Sequence, residues 1–239
     1  MTETDSTKAP HNTGDGTASS GPKGSEHLTP PVFDQSFQQQ FIDLLLWRRD
    51  VRRFRTDPIP ATDIDGLIAE ACLAPSVGNC QPWRFVKVNA PERRRAIRDS
   101  FERANQQALD DYEGERARLY ASLKLQGMDQ APVQLAVFAD EETEAGMGLG
   151  RKTMPEMLDY SAVAAVQLLW LAARVKGIGV GWVSIIEPNV VQQALDVPEH
   201  WRLIAYLCIG YPEEDHVVPE LVRHGWQDRI DPRDVTLDR

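Results

Sequence analysis

The stretch LDYSAVAAVQLLWLAARVKGIGVGWVSI, residues 158–185, indicates how the chain is organised. Its first part is helical in period and is apolar nearly all round between Ala162 and Ala173. A helix of this kind is buried on most sides, either in a core or between subunits. The run IGVGWVSI that follows is apolar and predicts a strand. The stretch therefore predicts a buried helix that leads directly into a buried strand.

Further strands and helices are predicted on both sides of this stretch. Apolar runs at 84–89, 133–140 and 202–212 predict strands, and the charged stretch 91–127 predicts helices with a break near Gly114. Strands separated by helices indicate an α+β fold with a central sheet, which we expect to span residues 32–239. Residues 1–31 are rich in Thr, Ser, Gly and Pro and contain no aromatic residue, which predicts a disordered tail.

Composition limits the classes of function. The chain has 239 residues and a formal net charge of -10, which argues against broad nucleic-acid binding because that needs a basic surface. No uninterrupted apolar run approaches the roughly 18 residues of a membrane span, and the N-terminus lacks the apolar core of a secretory signal. The three cysteines form no C-x-x-C pair and the five histidines show no ligand spacing. We expect a cytoplasmic protein without a metal site.

Positive charge is concentrated in LWRRDVRRFR, residues 46–55, which holds five arginines and a single carboxylate, Asp50. If this stretch is helical, Arg48 and Arg52 share a face and can hold one phosphate, and Arg49 and Arg53 form a second such pair. The alternative is a solvated helix end, where the cations offset the negative end of the helix dipole.

Two other segments have ligand-binding character. In APSVGNCQPWRF, residues 74–85, polar groups lie at a predicted helix-to-strand junction, which indicates either a ligand contact or an ordinary turn. A hydrolase nucleophile elbow is discounted because it needs a strand before the turn and a helix after it. Gly179 and Gly181 lead into a strand, unlike a dinucleotide fingerprint. We interpret them as allowing close approach of a flat ligand, or tight packing against the long helix.

Five segments, in this order, resemble the nitroreductase-like flavoprotein family, and within it the dimethylbenzimidazole synthase branch. They are RRDVRRF, APSVGNCQPWRF, SLKLQGMDQAP, residues 158–185 and HGWQDR, and the resemblance extends from about Phe33 to Arg229. It implies an α+β nitroreductase-like fold, in which a central mixed, mostly antiparallel sheet is flanked by helices. It also implies a homodimer with flavin sites at the subunit interface.

The resemblance assigns flavin-binding residues one by one. Arg48 and Arg52, with Arg49 and Arg229, correspond to positions that hold the FMN phosphate and ribityl chain, and Asp50 and Val51 lie in the same motif. The residues that match the turn lining the flavin are Ser76, Asn79 and Gln81. The residues that match the strand passing the flavin N5 edge are Trp182, Val183 and Ser184.

Asp50 and Ser184 are the candidate catalytic residues. Ordinary nitroreductases usually carry Ser or Thr at the position of Asp50, whereas the synthase branch resembles this chain in having Asp. Neighbouring cations favour the charged form of a carboxyl group, so Asp50 could act as a general base. The alternative role is a salt-bridge partner that orders Arg49 or Arg53. Ser184 could donate a hydrogen bond near the flavin N5.

The resemblance implies a synthase that consumes reduced FMN as a substrate, with molecular oxygen as co-substrate, and makes dimethylbenzimidazole for the lower ligand of vitamin B12. A separate flavin reductase would supply the reduced FMN. Two alternatives stay open: an NAD(P)H-dependent nitroreductase, flavin reductase or cobalt-corrinoid reductase, and a flavin-binding module without chemistry. The charged stretch from Glu102 to Gln130 is either a lid over the flavin or a plain surface pair of helices.

Overall fold

The computed structural model describes residues 29–239, so the predicted tail lies almost wholly outside the described part of the chain. The helices are α1 (Gln35–Trp47), α2 (Ala61–Ala71), α3 (Pro91–Asp110), α4 (Gly114–Ser122), α5 (Met157–Val175), α6 (Pro188–Leu195) and α7 (Glu220–Arg223). The strands are β1 (Trp83–Lys87), β2 (Val133–Asp140), β3 (Gly179–Val183) and β4 (Trp201–Gly210). Strand β2 has the predicted bounds, and the predicted helix break falls between α3 and α4.

The four strands form one sheet in the order β1-β2-β4-β3, and every neighbouring pair is antiparallel. Asp50 adds one parallel bridge to Val180 on the outer edge of β3. The sheet is therefore mixed and mostly antiparallel, as predicted.

Both faces of the sheet are covered, because side chains alternate along each strand. On β4, Leu207 and Ile209 point into the core formed with α2 and α5, whereas Tyr206 and Cys208 point into the core formed with α3 and α6. Burial raises the pKa of the Cys208 thiol to about 12, so this group packs as a neutral side chain. The result is a layer of helices on each side of the sheet.

Helix α5 is the central helix of the fold, as its all-round apolar sequence predicts. Ala165, Leu169 and Ala173 are fully buried against the sheet and α2. Helix α5 is long and apolar enough to cross a membrane. In the fold, however, 44% of its most apolar segment is buried inside the protein. Its buried face accounts for its apolar composition through packing in the core.

Gly179 and Gly181 make room for the chain segment that follows α1. Val51 donates its backbone N–H to the carbonyl oxygen of Val180 at 3.0 Å. A Cβ on Gly181 would overlap the carbonyl oxygen of Val51, and one on Gly179 would lie 2.8 Å from Val51 Cγ2. The interpretation that these glycines admit a flat ligand is therefore wrong, and so is packing against the long helix. They admit the backbone and side chain of Val51.

We expect Gly181→Ala to destabilise the protein, because the new methyl group would push the 50–51 backbone away from β3. Overpacking of this kind costs about 1–3 kcal/mol of unfolding free energy. The matched control is Gly66→Ala in α2, where the new Cβ meets nothing closer than Lys176 Nζ at 3.4 Å. A helical Gly→Ala change stabilises by up to about 1 kcal/mol. Denaturant unfolding measures both, and equal stability of the two variants would contradict this account.

Candidate functional site

The arginine stretch is extended, and the helical pairing predicted for it is wrong. Helix α1 ends at Trp47, and Arg48 already has the extended backbone angles φ -70° and ψ 114°. From there the chain runs along β3, with the bridge at Asp50. Because the segment is not helical, Arg48 and Arg52 share no helical face, and neither do Arg49 and Arg53. Pairing with β3 overrides the high helix propensity of arginine.

Three of the five arginines have a carboxylate partner. Arg52 Nε lies 2.9 Å from Asp50 Oδ2, Arg53 Nη1 lies 2.8 Å from Glu220 Oε1, and Arg55 Nε lies 3.4 Å from an Asp57 oxygen. The hydrogen bond that Arg53 donates to Glu220 raises the pKa of Arg53. Glu214 adds a longer ion pair to Arg53, with a separation of 3.9 Å.

Arg48 and Arg49 have no carboxylate partner among residues 29–239. Burial lowers the pKa of Arg48, and the positive charge of Arg229 lowers it further, against the opposing effect of Asp50. Burial also lowers the pKa of Arg49, as do the charges of Arg48 and Arg229. The Nε of Arg49 is buried and has no acceptor. Three cations that repel one another and a buried donor without an acceptor are features that suit the binding of an anion.

Trp170 of α5 holds this cation cluster in place, a role that its sequence context did not predict. Its indole Nε1 donates to the carbonyl oxygen of Arg49 at 3.2 Å, and the guanidinium of Arg48 lies 4.9 Å from its ring centroid. Trp170 is buried in the core, as expected for an apolar helix. The sequence did contain one indication of this role. A buried indole N–H needs a hydrogen-bond acceptor, so a tryptophan in an apolar helix is expected to contact a polar group.

The Asp50 carboxylate is held by hydrogen bonds at both oxygens. Oδ1 accepts from the backbone N–H of Trp182 at 2.9 Å, and Oδ2 accepts from Arg52 Nε. Its ion-pair partner is thus Arg52, not Arg49 or Arg53. The side chain is 32% exposed, so a ligand can still reach it. A fixed and accessible carboxylate beside an anion site can accept a proton from a bound molecule.

The other predicted residues of β3 lie next to Asp50. Trp182 presents its backbone N–H to Asp50, and its ring lies 6.4 Å from that of Trp170. Val183 is buried in the core formed with α3 and α6, so its side chain is not available to a ligand. Ser184 follows the end of β3 and is exposed. Val51 packs against that same core.

The turn Ser76–Gln81 has a tightly defined geometry. Asn79 and Gln81 have φ angles of +54° and +46°, a left-handed conformation that non-glycine residues rarely adopt. Ser76 Oγ accepts from the backbone N–H of Gln81 at 3.0 Å, and the backbone N–H of Val77 donates to Ser161 Oγ at 3.1 Å. Backbone strain of this kind, held by side-chain hydrogen bonds, is typical of ligand-binding segments.

The structure does not bring this turn and the cation cluster together within one chain. The turn precedes β1 at one edge of the sheet, whereas Asp50 lies beyond β3 at the other edge. Four strand spacings separate these edges, which is about 19 Å. On α5 the two groups contact Ser161 and Trp170, nine residues and about 14 Å apart along the helix axis. The predicted site residues therefore form two separate clusters in each chain.

The α+β sheet presents a cation cluster beside a fixed carboxylate, an arrangement that suits an anionic ligand. The family model described as the Nitroreductase family matches residues 45–211, which include the cation stretch, the turn and the whole sheet. The chain belongs to the nitroreductase family, and the fold and family predicted from the sequence are confirmed.

Comparison with known proteins indicates the branch of this family. The chain is 55% identical over 201 residues to a 5,6-dimethylbenzimidazole synthase of Rhodospirillum rubrum, covering 84% of this chain and 95% of that protein. It is 46% identical over 198 residues to the enzyme of the same name from Rhodobacter capsulatus, covering 83% and 96%. A crystal structure of oxidised iodotyrosine deiodinase bound to FMN and 3-iodo-L-tyrosine superposes with a TM-score of 0.62 at 27% identity, covering 73% of this chain and 91% of that one.

Proposed function

We propose that this chain is an oxidoreductase that consumes reduced FMN and molecular oxygen and releases 5,6-dimethylbenzimidazole. The observation that carries the proposal is the 55% identity to a dimethylbenzimidazole synthase over nearly the full length of both proteins. The chemistry would come from the reduced flavin and oxygen, with the flavin broken down to the benzimidazole, a sugar phosphate and a fragment that retains the pyrimidine ring. The protein contributes a binding site, a proton acceptor and a shape that limits access of water.

The cation cluster fits the phosphate of FMN. A phosphate monoester carries close to two negative charges, and Arg48, Arg49 and Arg229 supply three positive ones, none of which forms an ion pair with a carboxylate of the described residues. The Nε of Arg49 has no hydrogen-bond partner, and a phosphate oxygen is a suitable acceptor for it. Arg52 is already committed to Asp50, so we assign the phosphate to the other three arginines.

Asp50 is the proton acceptor in this proposal. Its two hydrogen bonds fix the carboxylate at the edge of β3, close to Arg48, whose charge state it influences. These two bonds hold the carboxylate in one orientation, and its side chain is still exposed enough to meet a bound molecule. Ser184 lies two residues beyond Trp182 and offers an exposed hydroxyl that can donate to the ring of the flavin.

A second copy of the chain completes the site. The turn at Ser76, Asn79 and Gln81 lies too far from the cation cluster of its own chain to line the same flavin. Helix α1 has no fully buried residue, and its apolar side chains, among them Phe37, Phe41 and Leu45, are exposed. Apolar patches of this size mark interfaces between proteins. We infer a homodimer in which α1 is covered and the turn of one chain faces the arginines of the other.

Light scattering at assay concentration tests the dimer. We expect a mass of about twice the 26.8 kDa of one chain. A species of one chain mass with full activity would contradict a site shared between copies.

Substitution of Arg49 tests the phosphate assignment. We expect Arg49→Gln to raise the dissociation constant of FMN by about 10- to 100-fold, since a hydrogen bond to a charged group contributes about 1.5–3 kcal/mol. Arg55→Gln is the matched control, because Arg55 lies in the same stretch but is exposed and paired with Asp57. The dissociation constant of FMN for Arg55→Gln should stay within about twofold of the value for the unsubstituted protein. Flavin fluorescence titration measures both, and an equal effect of the two changes would refute the assignment.

A single-turnover experiment tests the function itself. Purified protein is mixed with FMN, the flavin is reduced chemically without air, oxygen is admitted, and products are separated by chromatography with mass detection. We expect dimethylbenzimidazole above a no-protein control. Chemical reduction replaces the separate flavin reductase that we propose as the supplier of reduced FMN in the cell. Asp50→Asn should bind FMN and lose about 100-fold or more in product formation, the range for removal of a general base.

Two other results would redirect the proposal. Fully recovered FMN together with rapid oxidation of NAD(P)H by the protein alone would indicate a reductase that keeps FMN as a cofactor. Fully recovered FMN with no such oxidation would indicate a flavin-binding module. We place the reaction in the cytoplasm, a setting that the free thiols of Cys72, Cys80 and Cys208 support.

A further inference from the structure

Arg52 lies between Asp50 and the chain segment that follows α4. Its Nε donates to Asp50 Oδ2 at 2.9 Å, and its Nη1 donates to the carbonyl oxygen of Lys124 at 3.0 Å. The side chain is 13% exposed, so both hydrogen bonds form away from bulk water. A guanidinium has a rigid planar fork of donors, so fixing one end of the fork restricts the other.

The segment 123–127 rests on the same part of the arginine stretch. A Cβ on Gly127 would overlap the ring of Phe54, which is 1% exposed. Lys124 Nζ donates to Gln130 Oε1 at 2.9 Å, which ties the segment to the turn before β2. The α3–α4 pair thus returns to the core at the backbone of Arg52 to Phe54.

Helix α4 depends on few other contacts with the core. Tyr120 is its single buried residue, and the Tyr120 ring packs against Tyr112, with a centroid distance of 5.1 Å, and against Trp226. An element with little buried apolar surface opens locally at low cost. Its connection to Arg52 is therefore a substantial part of what holds the end of α4 in place.

The orientation of the Asp50 carboxylate also depends on Arg52. Trp182 fixes Oδ1 from the sheet, and Arg52 is the protein group that fixes Oδ2. Without Arg52 the carboxylate would keep one hydrogen bond and could rotate about it. One side chain thus sets both the orientation of the carboxylate and the anchoring of the 123–127 segment.

We propose that Arg52 is a positioning residue that joins Asp50 to the segment 123–127, so that the carboxylate is oriented when this segment is seated. This differs from the phosphate-binding role that the family resemblance implies for Arg52. The link to chemistry rests on the proposed function, in which Asp50 accepts the proton. The physical link between the two parts of the chain stands apart from it and is tested separately.

Hydrogen exchange followed by mass spectrometry tests the physical link. Arg52→Gln should raise exchange of the amides in 119–127 by about tenfold, since a hydrogen bond to a charged group is lost. Asp50→Asn should raise it by about threefold, because it releases one end of the fork. The double variant should exchange like Arg52→Gln alone, which is the non-additivity of residues in one network. Unchanged exchange in Arg52→Gln, or additive effects in the double variant, would overturn the proposal.

Arg52→Lys tests the contact with Asp50 separately from the contact with the Lys124 carbonyl oxygen. It also replaces Arg52→Gln as the test variant if that protein folds poorly. A lysine ammonium can reach Asp50 as a point charge but lacks the fork that also holds the Lys124 carbonyl group. We expect product formation per bound FMN within about fivefold of the unsubstituted protein, while exchange of 119–127 stays raised. Arg55→Gln is the control for loss of an arginine and should change neither quantity by more than about twofold.

Binding and turnover distinguish a positioning residue from a phosphate ligand. Arg52→Gln should leave the FMN dissociation constant within about threefold and slow product formation per bound FMN by about 30-fold or more. A dissociation constant raised as in Arg49→Gln, with normal product formation per bound FMN, would make Arg52 a phosphate ligand and refute the proposal. If the unsubstituted protein forms no dimethylbenzimidazole, the proposed function fails, while the exchange experiment still decides the link.

Discussion

The backbone of Asp50 and Val51 lies against β3 because Gly179 and Gly181 have no side chains, and the candidate site depends on this contact. This contact explains why α1 ends at Trp47. The chain becomes extended there, so that Val51 can donate a hydrogen bond to Val180. It brings the Asp50 carboxylate to the N–H of Trp182. One edge of the sheet thus carries both the charge and the fixed carboxylate.

The same contact explains how an acidic protein maintains a cluster of positive charge. The arginines further along the stretch have carboxylate partners, which are the nearby Asp50 for Arg52 and Asp57 for Arg55 and the distant Glu220 for Arg53. Arg48 and Arg49 face Trp170 and Arg229 instead, and burial together with mutual repulsion lowers their pKa values. An anion relieves both costs when it binds, because it supplies the missing charge and the missing acceptors. The proposed phosphate site therefore lies at the two arginines of the stretch that have no carboxylate partner among the described residues.

The sequence predicted elements whose pattern is local. The all-round apolar run of α5, the apolar run of β2 and the break near Gly114 each reflect neighbours a few residues apart, and each agrees with the structure. The five segments that resemble the nitroreductase family also identified the fold, the family and the branch. The site residues assigned by that resemblance remain predictions, because their roles depend on a bound flavin.

Features that depend on distant residues could not be predicted from the sequence. The helical pairing of Arg48 with Arg52 failed because the competing partner, Val180, lies about 130 positions along the chain. The role of Gly181 was misread for the same reason, since the atom it admits belongs to Val51. The acid that pairs with Arg53 comes from α7, a short helix in a stretch whose composition is polar and irregular. Tertiary contacts of this kind leave no period in the sequence.

A crystal structure of the protein with FMN bound tests the central claim most directly, which is that the arginine stretch docked on β3 is the flavin site. We predict the phosphate within about 3 Å of Arg49 Nε and in contact with Arg48 and Arg229, with the ring next to Asp50. We also predict the Ser76–Gln81 turn of a second copy against the same flavin. A flavin whose phosphate lies away from Arg48 and Arg49, or one enclosed by a single chain, would contradict the account.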